Sequence, residues 1–192
     1  MELSPEDKAV LLSAARDSIK SAFEDTGIPS PDFQKNPCLK TRSGAFVTLT
    51  IQHNLRGCIG YISAEMSLFE TVSEAAVQAA FHDPRFLPVS RQEFEKLEIE
   101  ISVLSPGRKI DNYDEIVIGR DGLILNHLGR RGLLLPQVAP ENNFTRERFL
   151  CAICEKAGFE AYLWQKQRLN IEVFTADIFS EEGERKNSYV PG

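Results

Sequence analysis

At 192 residues, with 42% hydrophobic and 26% charged side chains, the chain is long enough to bury a proper core and too apolar for wholesale disorder. Its 22 basic and 28 acidic residues leave a net charge of −6, the wrong sign for a generic nucleic-acid binder, so nucleic acid is not an expected partner. No apolar run approaches the roughly 18 residues of a membrane span, and Met1 to Asp7 is polar and acidic, so no membrane association is expected. The four cysteines, Cys38, Cys58, Cys151 and Cys154, are too sparse for a disulfide framework, which points to a reducing cytoplasm.

Ser4-Pro5-Glu6-Asp7 starts a helix: a capping serine, proline at the first turn, and acids at the positive end of the dipole. Leu11, Ala14, Ala15, Ser18, Ile19, Ala22 and Phe23 form its buried stripe, and Gly27 stops it. Residues 28–37 hold three prolines and read as a loop. Ala45 to Ile51 alternates as a half-buried strand, Gln52-His53-Asn54 supplies turn chemistry, and Arg56 to Ile62 returns as the second strand of a hairpin. Ser67 to Glu70 is a capping box that opens a helix packed through Leu68, Val72, Ala75, Ala76 and Ala79; Pro84 ends it at His82-Asp83. A second capping box, Ser90 to Glu93, predicts a short helix, and Glu98 to Leu104 a strand with Ile99, Ile101 and Val103 inward.

After Pro106-Gly107, residues 116–118, 122–127 and 131–135 read as short strands between glycine turns. Thr145 to Lys156 predicts a helix ended by Gly158, and Asn170 to Ile178 a last strand. Residues 180–192 read as a frayed polar tail behind a single domain over 1–179. The order lacks regular strand–helix–strand alternation, so the expected class is α+β.

Leu55-Arg56-Gly57-Cys58-Ile59-Gly60 is the most informative segment. Each glycine weakens a strand by about 0.5–1 kcal/mol, which implies a bulge or a close approach by a ligand or another chain. Alternation places Arg56 and Cys58 on one face with Gly60 beside them. An ordinary thiol is only a few per cent ionised at neutral pH, so a nucleophile here needs a neighbouring cation. The alternative is a buried cysteine acting as a small hydrophobe.

His82-Asp83-Pro84-Arg85 places an imidazole, a carboxylate and a guanidinium at a helix C-terminus, suited either to base chemistry beside a cysteine or to locking the helix–loop junction. Arg130 and Arg131, in a glycine turn, suit carboxylate or phosphate binding, or form a solvated hairpin tip. Cys151 and Cys154 lie inside a helix whose core stripe is Phe149, Leu150, Ile153, Cys154 and Ala157, so core packing is preferred to a redox or zinc role. His53 and His127 read as isolated. No ligand spacing predicts a metal, and no phosphate loop or dinucleotide fingerprint predicts a cofactor.

Together these blocks resemble the AMMECR domain family. The matching pieces are residues 44–49, 55–60, 83–86, 101–106, 122–124, 129–138 and 156–158, in order; Asn142-Asn143-Phe144 departs from the glycine and tryptophan usual before the following helix. The resemblance implies a two-lobed fold with mixed or antiparallel sheets and flanking helices, the cysteine motif near the cleft between lobes, and partnership with MEMO-type and radical-SAM proteins in a shared modification pathway.

Two functions are therefore expected. In the first, the protein is a thiol-dependent enzyme or carrier for a small anionic molecule. Cys58 is its nucleophile, His82 its base and Asp83 its orienting group. Arg56, Gly57, Gly60, Arg85, Arg130 and Arg131 form the anion-binding side. The alternative is a non-catalytic module that docks a protein or peptide through the same cleft.

Overall fold

The computed structural model describes residues 3–24, 26–27, 30–62 and 65–182. These fall into two compact units, one of residues 3–103 with 178–182 and one of residues 104–177.

In the first unit the chain runs α1 (Pro5–Glu24), a 3-10 turn (Pro37–Lys40), β1 (Ala45–Ile51), β2 (Asn54–Tyr61), α2 (Leu68–Phe81), α3 (Arg91–Phe94) and β3 (Glu98–Leu104). Ser67 and Ser90 each cap a helix with a reciprocal box to Glu70 and Glu93, as their spacing predicts. β1 pairs antiparallel with both β2 and β3, leaving β2 on the edge of the order β2-β1-β3-β8, where β8 is Ala176–Ser180. Ala45, Val47, Leu49, Ile99 and Ile101 are wholly buried on the inner face. α2 packs on β1 and β2 there, through Leu68, Val72, Ala75 and Ala76, and α1 packs on α2. The turn from β1 to β2 holds Gln52 at φ 52° and His53 at φ 62°. Both are left-handed, the geometry of a two-residue hairpin turn for which glycine is the low-strain choice.

The second unit contains β4 (Arg108–Lys109), β5 (Gly122–His127), β6 (Arg130–Leu134), α4 (Val138–Glu141), α5 (Arg146–Lys156), α6 (Leu163–Lys166) and β7 (Ile171–Phe174). Its sheet has the order β4-β7-β5-β6, and its antiparallel registers pair β7 with β4 and β5, and β5 with β6. Leu123, Leu125, Phe149, Ile153 and Cys154 make a separate core, and burial raises the Cys154 thiol; Cys151 is also buried, its sulfur accepting from Trp164 Nε1 at 3.4 Å.

Three expectations differ. Residues 116–118 form no strand: the buried Asp121 carboxylate accepts the Val117 amide at 2.9 Å, and the Arg120 and Asp121 amides return to the Val117 carbonyl, closing a turn. The single last strand is two, β7 in one sheet and β8 in the other, parted at Thr175, whose amide and carbonyl both bond Ser105. At the start of the supposed tail, Ser180 closes β8 and Glu181 is bound by Arg16 and by the Ile99 amide; residues 183–192 lie outside the described residues. No described helix is long and apolar enough to cross a membrane.

Candidate functional site

Cys58 lies on the edge strand β2, half-buried, opposite Thr48 of β1. The Thr48 hydroxyl donates to the Cys58 sulfur at 3.4 Å. Both backbone polar groups of Cys58 face away from β1 and are met from the loop after α2. Its amide donates to Asp83 Oδ2 at 2.9 Å, and its carbonyl accepts from Arg85 Nη2 at 3.0 Å. Asp83 and Arg85 thus occupy the place of a missing neighbouring strand at this point of the open edge.

The Asp83 carboxylate is buried and takes three further contacts from one residue: the Arg85 amide at 3.1 Å, Nε at 2.9 Å and Nη2 at 2.6 Å on its two oxygens, the last also an ion pair. Arg85 above all holds this carboxyl well below the usual carboxylate range, against the effect of burial, with the Cys58 amide assisting. Asp83 above all raises the Arg85 guanidinium in return, with a smaller contribution from Cys58. The carboxylate is therefore turned to Arg85 and Cys58. His82 caps α2, its amide donating to the Gln78 carbonyl.

Arg56 departs from simple alternation. The β1–β2 register shifts between Leu49–Gly57 and Thr50–Leu55, so Arg56 is the extra residue of a bulge. Its Nε and Nη2 bond the two oxygens of Glu93 at 2.8 and 3.2 Å, which holds the Glu93 carboxyl down at about 2. The Arg56 guanidinium lies 5.9 Å from the Phe86 ring and that of Arg85 lies 5.5 Å from the same ring. These two arginines do converge, each with its own carboxylate. Arg56 Nη1 is buried with no hydrogen-bond partner among the described residues.

The glycines have a local cause that the sequence left open. A Cβ on Gly57 would overlap the Ala79 carbonyl of α2, and one on Gly60 would overlap the Phe46 ring and the Ala45 carbonyl. The close approach at Gly57 is made by the protein's own helix. Arg130 and Arg131 belong to the second unit, at the start of β6; Arg130 donates to the Gly158 carbonyl and lies 5.1 Å from the Phe159 ring. Thr48, Phe86 and Glu93 are the site residues that sequence reasoning missed. Phe86 follows the Asp83-Pro84-Arg85 motif directly, and Glu93 carries in sequence only the signal of its capping box.

A cysteine on an antiparallel edge strand, its backbone clamped by an acid–arginine pair, in an α+β protein with two four-stranded sheets, is the class of architecture at hand. The AMMECR1 family model matches residues 12–179, and the chain belongs to that family. It is similar to a protein of Sulfolobus acidocaldarius, 41% identical over 89% of this chain and 80% of that one. It is also similar to a protein of Methanothermobacter thermautotrophicus, 37% identical over 94% of this chain and 97% of that one. The crystal structure of an uncharacterised Pyrococcus horikoshii protein superposes with a TM-score of 0.82 at 37% identity, covering 91% of each chain.

Proposed function

We propose that Cys58 is the nucleophile or attachment point of a thiol-dependent enzyme or carrier that handles a small anionic molecule. The supporting observation is a partly exposed Cys58 whose sulfur receives the Thr48 hydroxyl at 3.4 Å and whose carbonyl is held by the Arg85 guanidinium at 3.0 Å. The unpartnered Arg56 Nη1 supports anion binding, because a buried donor without an acceptor invites one from a ligand. In this reading Asp83 positions Arg85 and the Cys58 backbone, His82 is the base, and Gly57 and Gly60 keep the strand slim. Partnership with MEMO-type and radical-SAM proteins belongs to the same reading and rests on the family resemblance.

Alkylation of the native protein by iodoacetamide, followed by mass spectrometry, tests it. Cys58 is expected to react first of the four cysteines, and Arg85→Ala to slow it by about tenfold. A Cys58 that is modified only after unfolding removes the nucleophile.

A second reading, a docking module for a protein or peptide, is favoured by Leu87 at 83% and Leu55 at 45% exposure. They are the chain neighbours of Phe86 and Arg56, whose side chains stack. It predicts that Leu87→Ser weakens capture of a MEMO-type protein while Cys58→Ser does not; the opposite pattern refutes it.

A further inference from the structure

On the face of the first unit's sheet turned away from α2, Thr48 stands opposite Glu100 and Thr50 opposite Glu98. A hollow of about 180 Å³ lies over these pairs, completed by His53, Ile99, Ser180 and Glu182. Three carboxylates and one imidazole border it, and no described lysine or arginine does. His53 Nδ1 lies 3.9 Å from Glu98 Oε2, and one donor atom each from His53, Glu98 and Glu182 all fall within 4.8 Å of one another.

From this cluster we infer a binding site for a divalent first-row transition cation such as zinc, held by His53, Glu98 and Glu182. Tetrahedral donors at about 2.0–2.2 Å from zinc stand roughly 3.4 Å apart, so small rotations of exposed side chains close the set. His53, at 75% side-chain exposure, is free to make such a rotation. Each ligand is nevertheless placed by firm backbone. His53 occupies the tight turn between β1 and β2, Glu98 opens β3, and Thr50 Oγ1 steadies the Glu98 carboxylate from 3.3 Å as an outer partner.

Glu182 follows a residue that is tied down twice. The Glu181 amide donates to the Ile99 carbonyl at 3.1 Å, while its carboxylate accepts the Ile99 amide at 3.1 Å and two Arg16 nitrogens at 2.6 Å. The donor set selects the ion. Imidazole with two carboxylates suits zinc, cobalt or manganese, whereas magnesium and calcium prefer oxygen alone and copper(I) prefers thiolates. A bound ion would staple the hairpin tip and the end of β8 to β3, with its remaining positions open to water or a small anion in the hollow.

The experiment uses untagged full-length protein, stripped of metal by chelator and titrated with Co2+ and Zn2+ by calorimetry and visible absorbance. One equivalent of Co2+ with a ligand-field band is expected, displaced by Zn2+ and untouched by excess Mg2+. His53→Ala and Glu98→Gln should each weaken binding by about tenfold or more. Cys58→Ser should leave it unchanged, which separates this site from the thiol reading. Melting temperatures of the metal-free variants, expected to match the parent, exclude misfolding as the cause. Absence of a saturable equivalent overturns the inference. So does binding indifferent to both ligand variants, or lost with Cys58→Ser.

Discussion

Asp83 accepts the Cys58 amide at 2.9 Å, and through that bond the loop after α2 completes the open edge of the sheet at its cysteine. Replacing Asp83 by alanine leaves that amide and the Arg85 cation without their carboxylate. A loss of about 2–3 kcal/mol is expected, the scale of hydrogen bonds to a charged group, read from urea denaturation.

The same carboxylate gives a pH signature. Its folded value is depressed, chiefly by Arg85, so its stabilising effect is complete above the unfolded carboxyl range and disappears as pH falls toward the folded value. Asp83→Asn keeps the shape without the charge. The stability gap between parent and variant should therefore be widest at neutral pH and narrow from about pH 5 downward, measured by denaturation at stepped pH.

Glycine substitutions should separate two causes. Gly57→Ala drives a Cβ into the Ala79 carbonyl, backbone against backbone, and is expected to cost about 3 kcal/mol or prevent folding. Gly129→Ala meets nothing within 4 Å and faces only its φ of +74°, so about 1–2 kcal/mol is expected. Similar melting temperatures for the two would contradict this assignment.

Cys38 should be the slow counterpart of Cys58. Burial first, then the hydrogen bond and charge of Asp7, push its thiol up to about 11. Burial works to raise Asp7 itself, but hydrogen bonds from Ser4, Asn36 and Cys38 outweigh that and bring it to about 2. Native Cys38 is expected to resist alkylation until strongly alkaline pH, and Asp7→Asn to lower the pH at which it reacts, followed by peptide mapping.

Arg16 forks onto Glu181 and also donates to the Leu97 carbonyl at 2.7 Å, joining α1 to the end of β8. At about 30% exposure this pair is screened, so Arg16→Ala should cost only about 1 kcal/mol in thermal denaturation. Hydrogen exchange at the Glu181 amide should rise far more than at Leu49.

Local chemistry was enough to write most elements in advance. The alternation of β1 and β3, both capping boxes, the Pro84 stop and the buried stripe of α5 each depend on residues within a few positions of one another, and neighbours in sequence carry them. The family pattern was legible for the same reason, as ordered short blocks.

Only tertiary structure decided which way Cys58 faces. A two-residue turn continued in simple register from Ile51–Asn54 would set Cys58 opposite Val47, on the core face. The bulge at Arg56 moves it opposite Thr48, on the other face. That one-residue shift is fixed by distant partners: Glu93 drawing Arg56 away, and Ala79 leaving room for nothing larger than Gly57. The splitting of the last strand between two sheets and the meeting of His53 with Glu98 and Glu182 have the same origin. Contacts across more than 20 residues of chain leave no periodicity in the segments that make them.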